Sequence, residues 1–242
     1  QALWAYVAGR WGDDVCARGL RASVRGNSNA EQILEGITGL PSKELSRQWH
    51  AAMQAQYGSL LEAKRSPLAY GPAVITEKNA GELNVAPVLS PDGSLLAFFS
   101  EKDLFSIDLY LADARTGEIR RKLVKTATDP HFQSLQFINS AGSFDATGRR
   151  FVFGVVEGGK AALNVREATG GHVRDYKIPE VDEIFDPSFA QDGRRVVFSA
   201  QVGGVTDLFI YDLGAAQLRR VTNDAYCHLQ PSWSPGGSRI VF

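Results

Sequence analysis

The residue types that most often run catalysis or hold metals are sparse in this chain. His50, His131, His172 and His228 are scattered, with no i, i+4 pair and no H-E-x-x-H, so they do not encode the helix-borne zinc site of a metallohydrolase. Cys16 and Cys227 stand far apart without C-x-x-C spacing, which gives neither a metal knuckle nor a disulfide framework. No G-x-S-x-G occurs, so the nucleophile elbow of an α/β-hydrolase is missing. On these grounds no catalytic residue, metal ligand or cofactor is assigned to this chain. What remains is a set of polar groups suited to binding: Asn84, Asn139, Asp186, His228 and Gln230. Gathered into one ring, these amides, the carboxylate and the imidazole could hold a peptide or an ion. Alternatively, each bonds ordered water and nearby backbone. Asp186 and His228 suit each other as a pair.

A repeat must position these residues. Ala86–Phe98, Ala141–Phe153, Asp186–Phe198 and Gln230–Phe242 align position by position. Each reads as a short strand, a tight turn and a second strand. The turn glycines Gly93, Gly148, Gly193 and Gly237 fall 55, 45 and 44 residues apart. Gly at the turn supplies the positive φ of a tight hairpin. The preceding Pro, with no N–H to donate, suits the start of a strand or a bulge. Leu89, Phe144, Phe189 and Trp233 share one position and Phe98, Phe153, Phe198 and Phe242 another, and both are suited to packing unit on unit. Third strands (Leu109–Ala112, Leu163–Arg166, Leu208–Tyr211) and fourth strands (Ile119–Leu123, Val173–Ile178, Leu218–Thr222) follow in the first three units. Four antiparallel strands per unit at this period predict the blades of a β-propeller.

The long first interval holds an insertion at Thr128–Asn139. It is either a functional loop or a loop tucked over the propeller with Phe132, Leu135 and Phe137 buried. The doublets Arg120-Arg121, Arg149-Arg150, Arg194-Arg195 and Arg219-Arg220 recur beside turns, where they read as solvated strand ends.

The stretch before the repeats is helical. Leu3, Trp4, Val7 and Ala8 have helical spacing. A second helix follows Asp13 or Asp14, and a short one is capped by Ser28 or Asn29 and ended by Gly36 or Gly39. The longest starts at Pro41-Ser42, with Leu45, Trp49, Ala52, Met53 and Tyr57 as its buried stripe and His50 off it. The expected organisation is an α-helical segment at 1–66, a linker with a lone strand (Val74–Thr76) at 67–82, and blades at 83–126, 136–179, 183–223 and 228–242. The fold class is therefore mostly β with an N-terminal α-helical segment, a partial propeller of about three and a half four-stranded blades. The net charge of −1 makes no case for nucleic acid or an anionic membrane, and no apolar run reaches the ~20 residues of a membrane span.

The units resemble TolB-type β-propeller repeats, whose blades carry a Pro-x-Trp-Ser-Pro-Asp-Gly-like turn and a strand ending in Phe. Pro87–Phe98, Asp186–Phe198 and Pro231–Phe242 carry the likeness. The second unit departs with Gly142 for Pro and Thr147 for Asp, the fourth with Gly236 for Asp. Trp4–Gly12, Gly39–Leu45 and Trp49 resemble the tail of a gluzincin-type metallopeptidase domain, and Phe137–Phe144 resembles bacterial fusions of such a domain to a TolB-like propeller. The resemblance implies a bacterial, exported or periplasmic protein. It also implies a protein or peptide partner and a parent whose zinc-binding H-E-x-x-H lies upstream of Gln1. Two functions follow as expectations: a non-catalytic binding module, or the substrate-positioning part of a zinc metallopeptidase. Both ends read as cut from a longer protein. Open propeller edges then invite self-association.

Overall fold

The computed structural model describes residues 2–25, 29–62, 64–103, 106–125, 134–135 and 142–242. The chain divides into two units, Gln1–Pro72 and Ala73–Phe242.

The first unit is helical: α1 (Ala2–Trp11), α2 (Val15–Arg25), α3 (Ala30–Thr38) and α4 (Ser42–Glu62). Asn29, of the two caps open in the sequence, starts α3. Its Oδ1 accepts from the Gln32 N–H while Gln32 Oε1 accepts from the Asn29 N–H, a reciprocal capping box. Gly39 ends the helix at φ 68°, where a side chain would be strained. The Glu35 carboxylate then takes both the N–H and the hydroxyl of Ser42 at the start of α4. Val7, Val15 and Leu45 form the buried centre, with Leu3, Tyr6, Trp11, Leu34 and Ile37 packed around them. The expected buried stripe of α4 holds only in part. Leu45 is buried, Trp49, Ala52 and Met53 are half-buried, and Tyr57 is 46% exposed. Leu60 and Leu61 beyond it are exposed as well.

The second unit is all β. Strands β1 (Asn84–Leu89), β2 (Leu95–Ser100), β3 (Asp108–Asp113) and β4 (Ile119–Val124) form the first antiparallel blade in sequence order. The second contains β5 (Ser134–Leu135), β6 (Ser143–Phe144), β7 (Arg150–Glu157), β8 (Lys160–Glu167) and β9 (Val173–Lys177). Both β5 and β6 pair with β7, so the inner strand of this blade is made in two pieces. The third blade is β10 (Glu183–Phe189), β11 (Arg195–Val202), β12 (Val205–Asp212) and β13 (Gln217–Arg220), and β14 (Ser232–Trp233) with β15 (Ile240–Val241) forms an inner hairpin beyond it. The fold is thus mostly β with an N-terminal helical segment, a partial propeller of about three and a half blades.

Blade packs on blade through large side chains. Phe99, Leu109 and Leu111 of the first meet Phe144, Phe151 and Phe153 of the second. Val152, Leu163 and Val165 of the second meet Phe198, Phe209 and Tyr211 of the third. Neither face of a single blade could be buried alone. Val74–Thr76, expected as a lone strand, is instead a bend entering a turn. The Asn79 side chain accepts from the Thr76 N–H and donates to the Val74 carbonyl, which satisfies these backbone groups without a strand partner. Among the described residues no helix is long and apolar enough to cross a membrane.

Candidate binding rim

The Pro of the first and third repeats sits in a bulge. Val85 pairs with Phe99 and Val88 with Ala97, so Ala86 and Pro87 together oppose Phe98. Asp186 and Pro187 likewise oppose Phe198. The bulge accommodates a residue that cannot donate to the ladder. The residue before Pro lies in the left-handed region in both bulges, Ala86 at φ 51° and Asp186 at φ 49°, and Gln230 before Pro231 shares it at φ 56°. Each non-glycine residue held there costs about 1–2 kcal/mol, Asp somewhat less than Ala. The packed Phe opposite each bulge is therefore well placed to stabilise it. In the second blade the inner strand pairs with β7 in two pieces, Leu135 opposite Val155 and Ser143 opposite Val152. Residues 128–133 and 136–139, and with them the candidate Asn139, lie outside the described residues.

Two of the sequence candidates meet here. The half-buried Asp186 carboxylate accepts a hydrogen bond from the Gln230 backbone N–H of the neighbouring inner hairpin. Burial raises its pKa above the usual carboxylate range, against the pull of that bond. The expected Asp186–His228 pairing is replaced by a local one. His228 Nε2 lies 2.9 Å from Asp224 Oδ1, its N–H donates to the Thr206 carbonyl, and its ring meets the Phe242 edge. The Asp224 carboxyl is held low by the Tyr226 backbone N–H and by His228. Asn84 stands at the corresponding end of the first blade, where its Nδ2 donates to the Gly81 carbonyl at 2.6 Å. Its Oδ1 is buried and unbonded among the described residues. Among those residues, too, no hydrogen bond joins Asn84 to Asp186, His228 or Gln230. Beside it, Gly81, Glu82, Glu101, Lys102 and Ser106 line a cavity of about 680 Å³.

The second arginine of two doublets has a role that sequence reasoning missed. Arg150 bonds Asp145, donates to the Gly193 carbonyl of the next blade and lies over the Phe189 ring. Arg195 bonds Asp192 and lies over the Trp233 ring. Both are half-buried blade-to-blade clamps, while Arg149 and Arg194 are exposed. The signal available was the position itself: an arginine opening the second strand, with an aromatic at the shared position of the following unit. Ser143 adds a third link, its Oγ accepting from the Phe189 N–H.

Solved structures share this fold. A protein solved as a TolB candidate from Agrobacterium tumefaciens superposes with TM-score 0.56 at 20% identity, over 67% of this chain and 55% of its own. TolB from Acinetobacter baumannii gives 0.51 at 21%, over 65% and 37%. Kuenenia stuttgartiensis hydrazine synthase gives 0.50 at 15%, over 66% and 49%. The fold is TolB-like. In sequence, the Tol-Pal system protein TolB of Francisella tularensis subsp. mediasiatica is 29% identical over 72 residues, as is that of subsp. tularensis. The matched stretch is 29% of this chain and 17% of the mediasiatica protein. No protein-family model matches.

Proposed function

We propose that this chain is a non-catalytic protein- or peptide-binding module that takes its partner at the propeller end where the inner strands enter. The observation carrying this reading is the recurring left-handed residue before Pro, here Asp186 and Gln230, with a half-buried carboxylate at the rim. Strain of this kind persists where the fold over-determines it, and it clusters at ligand clamps. The name of the matched relatives, Tol-Pal system protein TolB, supports a protein partner. The test is selection of a phage-displayed random peptide library on the immobilised full chain, followed by titration of the selected peptide. Asp186→Ala with His228→Ala weakens it by roughly tenfold or more, the scale expected when a buried hydrogen-bonding group is removed. Unchanged affinity in the folded double variant overturns the placement of the site.

For the first unit, the finer reading is the tail of a gluzincin-type metallopeptidase domain, carried by Trp4–Gly12, Gly39–Leu45 and Trp49. Its small core supports a unit that packs against more protein than it contains. The residues described do not fit the zinc of such a parent. No group of three or more His, Cys, Asp or Glu among them is placed to hold a metal ion, so no zinc-dependent step is assigned to them.

A further inference from the structure

The three blades present the same three positions on the face turned toward the preceding blade. On the third these are Phe198, Phe209 and Tyr211, packed against the second blade. On the second they are Phe153, Asn164 and Arg166. Phe153 packs against the first blade, and Arg166 donates to its Leu123 carbonyl at 2.8 Å. On the first they are Phe98, Tyr110 and Ala112, which face no blade among the described residues. Even so, they are only 2%, 2% and 0% exposed. Ile75 and Ala80, from the segment ahead of β1, pack there instead.

That segment is built in. Asn79 Oδ1 accepts from the Thr76 N–H at 2.7 Å, and its Nδ2 donates to the Val74 and Gly117 carbonyls at 2.8 and 3.1 Å. The Gly81 N–H donates to Ser100 Oγ, and Lys102 Nζ to the Asn79 carbonyl. Gly117 has φ 72°, and a Cβ there would collide with the Val74 carbonyl. A Cβ on Gly81 would likewise collide with the Glu101–Lys102 backbone.

We infer that residues 74–82 are an end cap: they stand in for a preceding blade on the Phe98–Tyr110–Ala112 face and keep a blade of a second copy from docking there. Within this chain the first blade needs such a cover, because each unit has two faces to bury. The association through open edges expected from the sequence is blocked at this edge for as long as the cap is seated. When it is unseated, the face fits a blade of the same repeat type, since its shape and positions are those that blades already use on one another.

The experiment compares the full chain with Ile75→Asp/Asn79→Ala by light scattering across concentration and by amide hydrogen exchange. The variant gains concentration-dependent association, and protection in β2 and β3 falls by roughly tenfold or more. Adding Tyr110→Glu abolishes the gained association. A variant with the parent's mass at every concentration and unchanged protection overturns the inference, as does association that survives Tyr110→Glu. The unaltered chain gives a reading independent of variant folding. Here the Thr76, Ala80 and Gly81 amides, bonded to Asn79, Thr76 and Ser100, exchange slowly, and exchange at free-peptide rates overturns the cap.

Discussion

Asp186 is held in a state that opposes its own charge. Burial raises its folded-state pKa, and the Gln230 N–H only partly offsets this. The folded chain therefore binds a proton here at pH values where the unfolded chain has lost it. Stability from this group falls as pH rises through the window between the unfolded and folded values, and the deficit persists above it. Asn at this position keeps an acceptor for Gln230, tolerates left-handed backbone and carries no charge. Asp186→Asn is thus expected to match the parent at the acid end of the window and to be more stable at neutral pH, as read from urea midpoints across pH. A variant less stable than the parent at neutral pH would contradict this account. The sequence marked Asp186 through its place in the repeat, but its partner was not legible. Asp224 lies four residues before His228 on one short loop, and that local bond occupies the imidazole.

At the level of elements, periodicity made the strands and their order readable, because spacing alone determines which residues share a turn. It did not show that the inner strand of the second blade pairs with β7 in two pieces, β5 and β6. Nor did it show how the blades are tied together. Arg166, buried on β8, donates to Leu123 on the first blade and to Asn164 Oδ1 beside it, with its guanidinium over Phe153. A methionine would fill much of the same space yet leave both acceptors without this donor. Each buried acceptor so stranded costs about 1–3 kcal/mol, so Arg166→Met should lower unfolding free energy by roughly 2–4 kcal/mol. The measurement is a urea titration of the propeller followed by near-ultraviolet circular dichroism. A loss below ~0.5 kcal/mol, the scale of an ordinary surface substitution, would show that water replaces the guanidinium.

The whole molecule has two cores of different quality. The propeller buries phenylalanines and branched aliphatics in two continuous inter-blade layers. Among its described residues the helical unit fully buries only Val7, Val15 and Leu45 of its core side chains and leaves Leu20, Val24, Leu60 and Leu61 exposed. A core in a unit of this size supplies no more than about 3–5 kcal/mol, and packing rather than propensity stabilises most helices. The two units are therefore expected to unfold separately, the helical one first. The chain carries its own reporters: Trp4, Trp11 and Trp49 lie in the first unit and Trp233 alone in the second. Tryptophan fluorescence and the helical signal at ~222 nm should change together at low urea. The near-ultraviolet signal of the propeller's tyrosines and phenylalanines should persist to a higher midpoint. Coincident transitions by all three probes would mean that the helical unit draws its stability from the propeller, and the two would then have to be treated as one cooperative body.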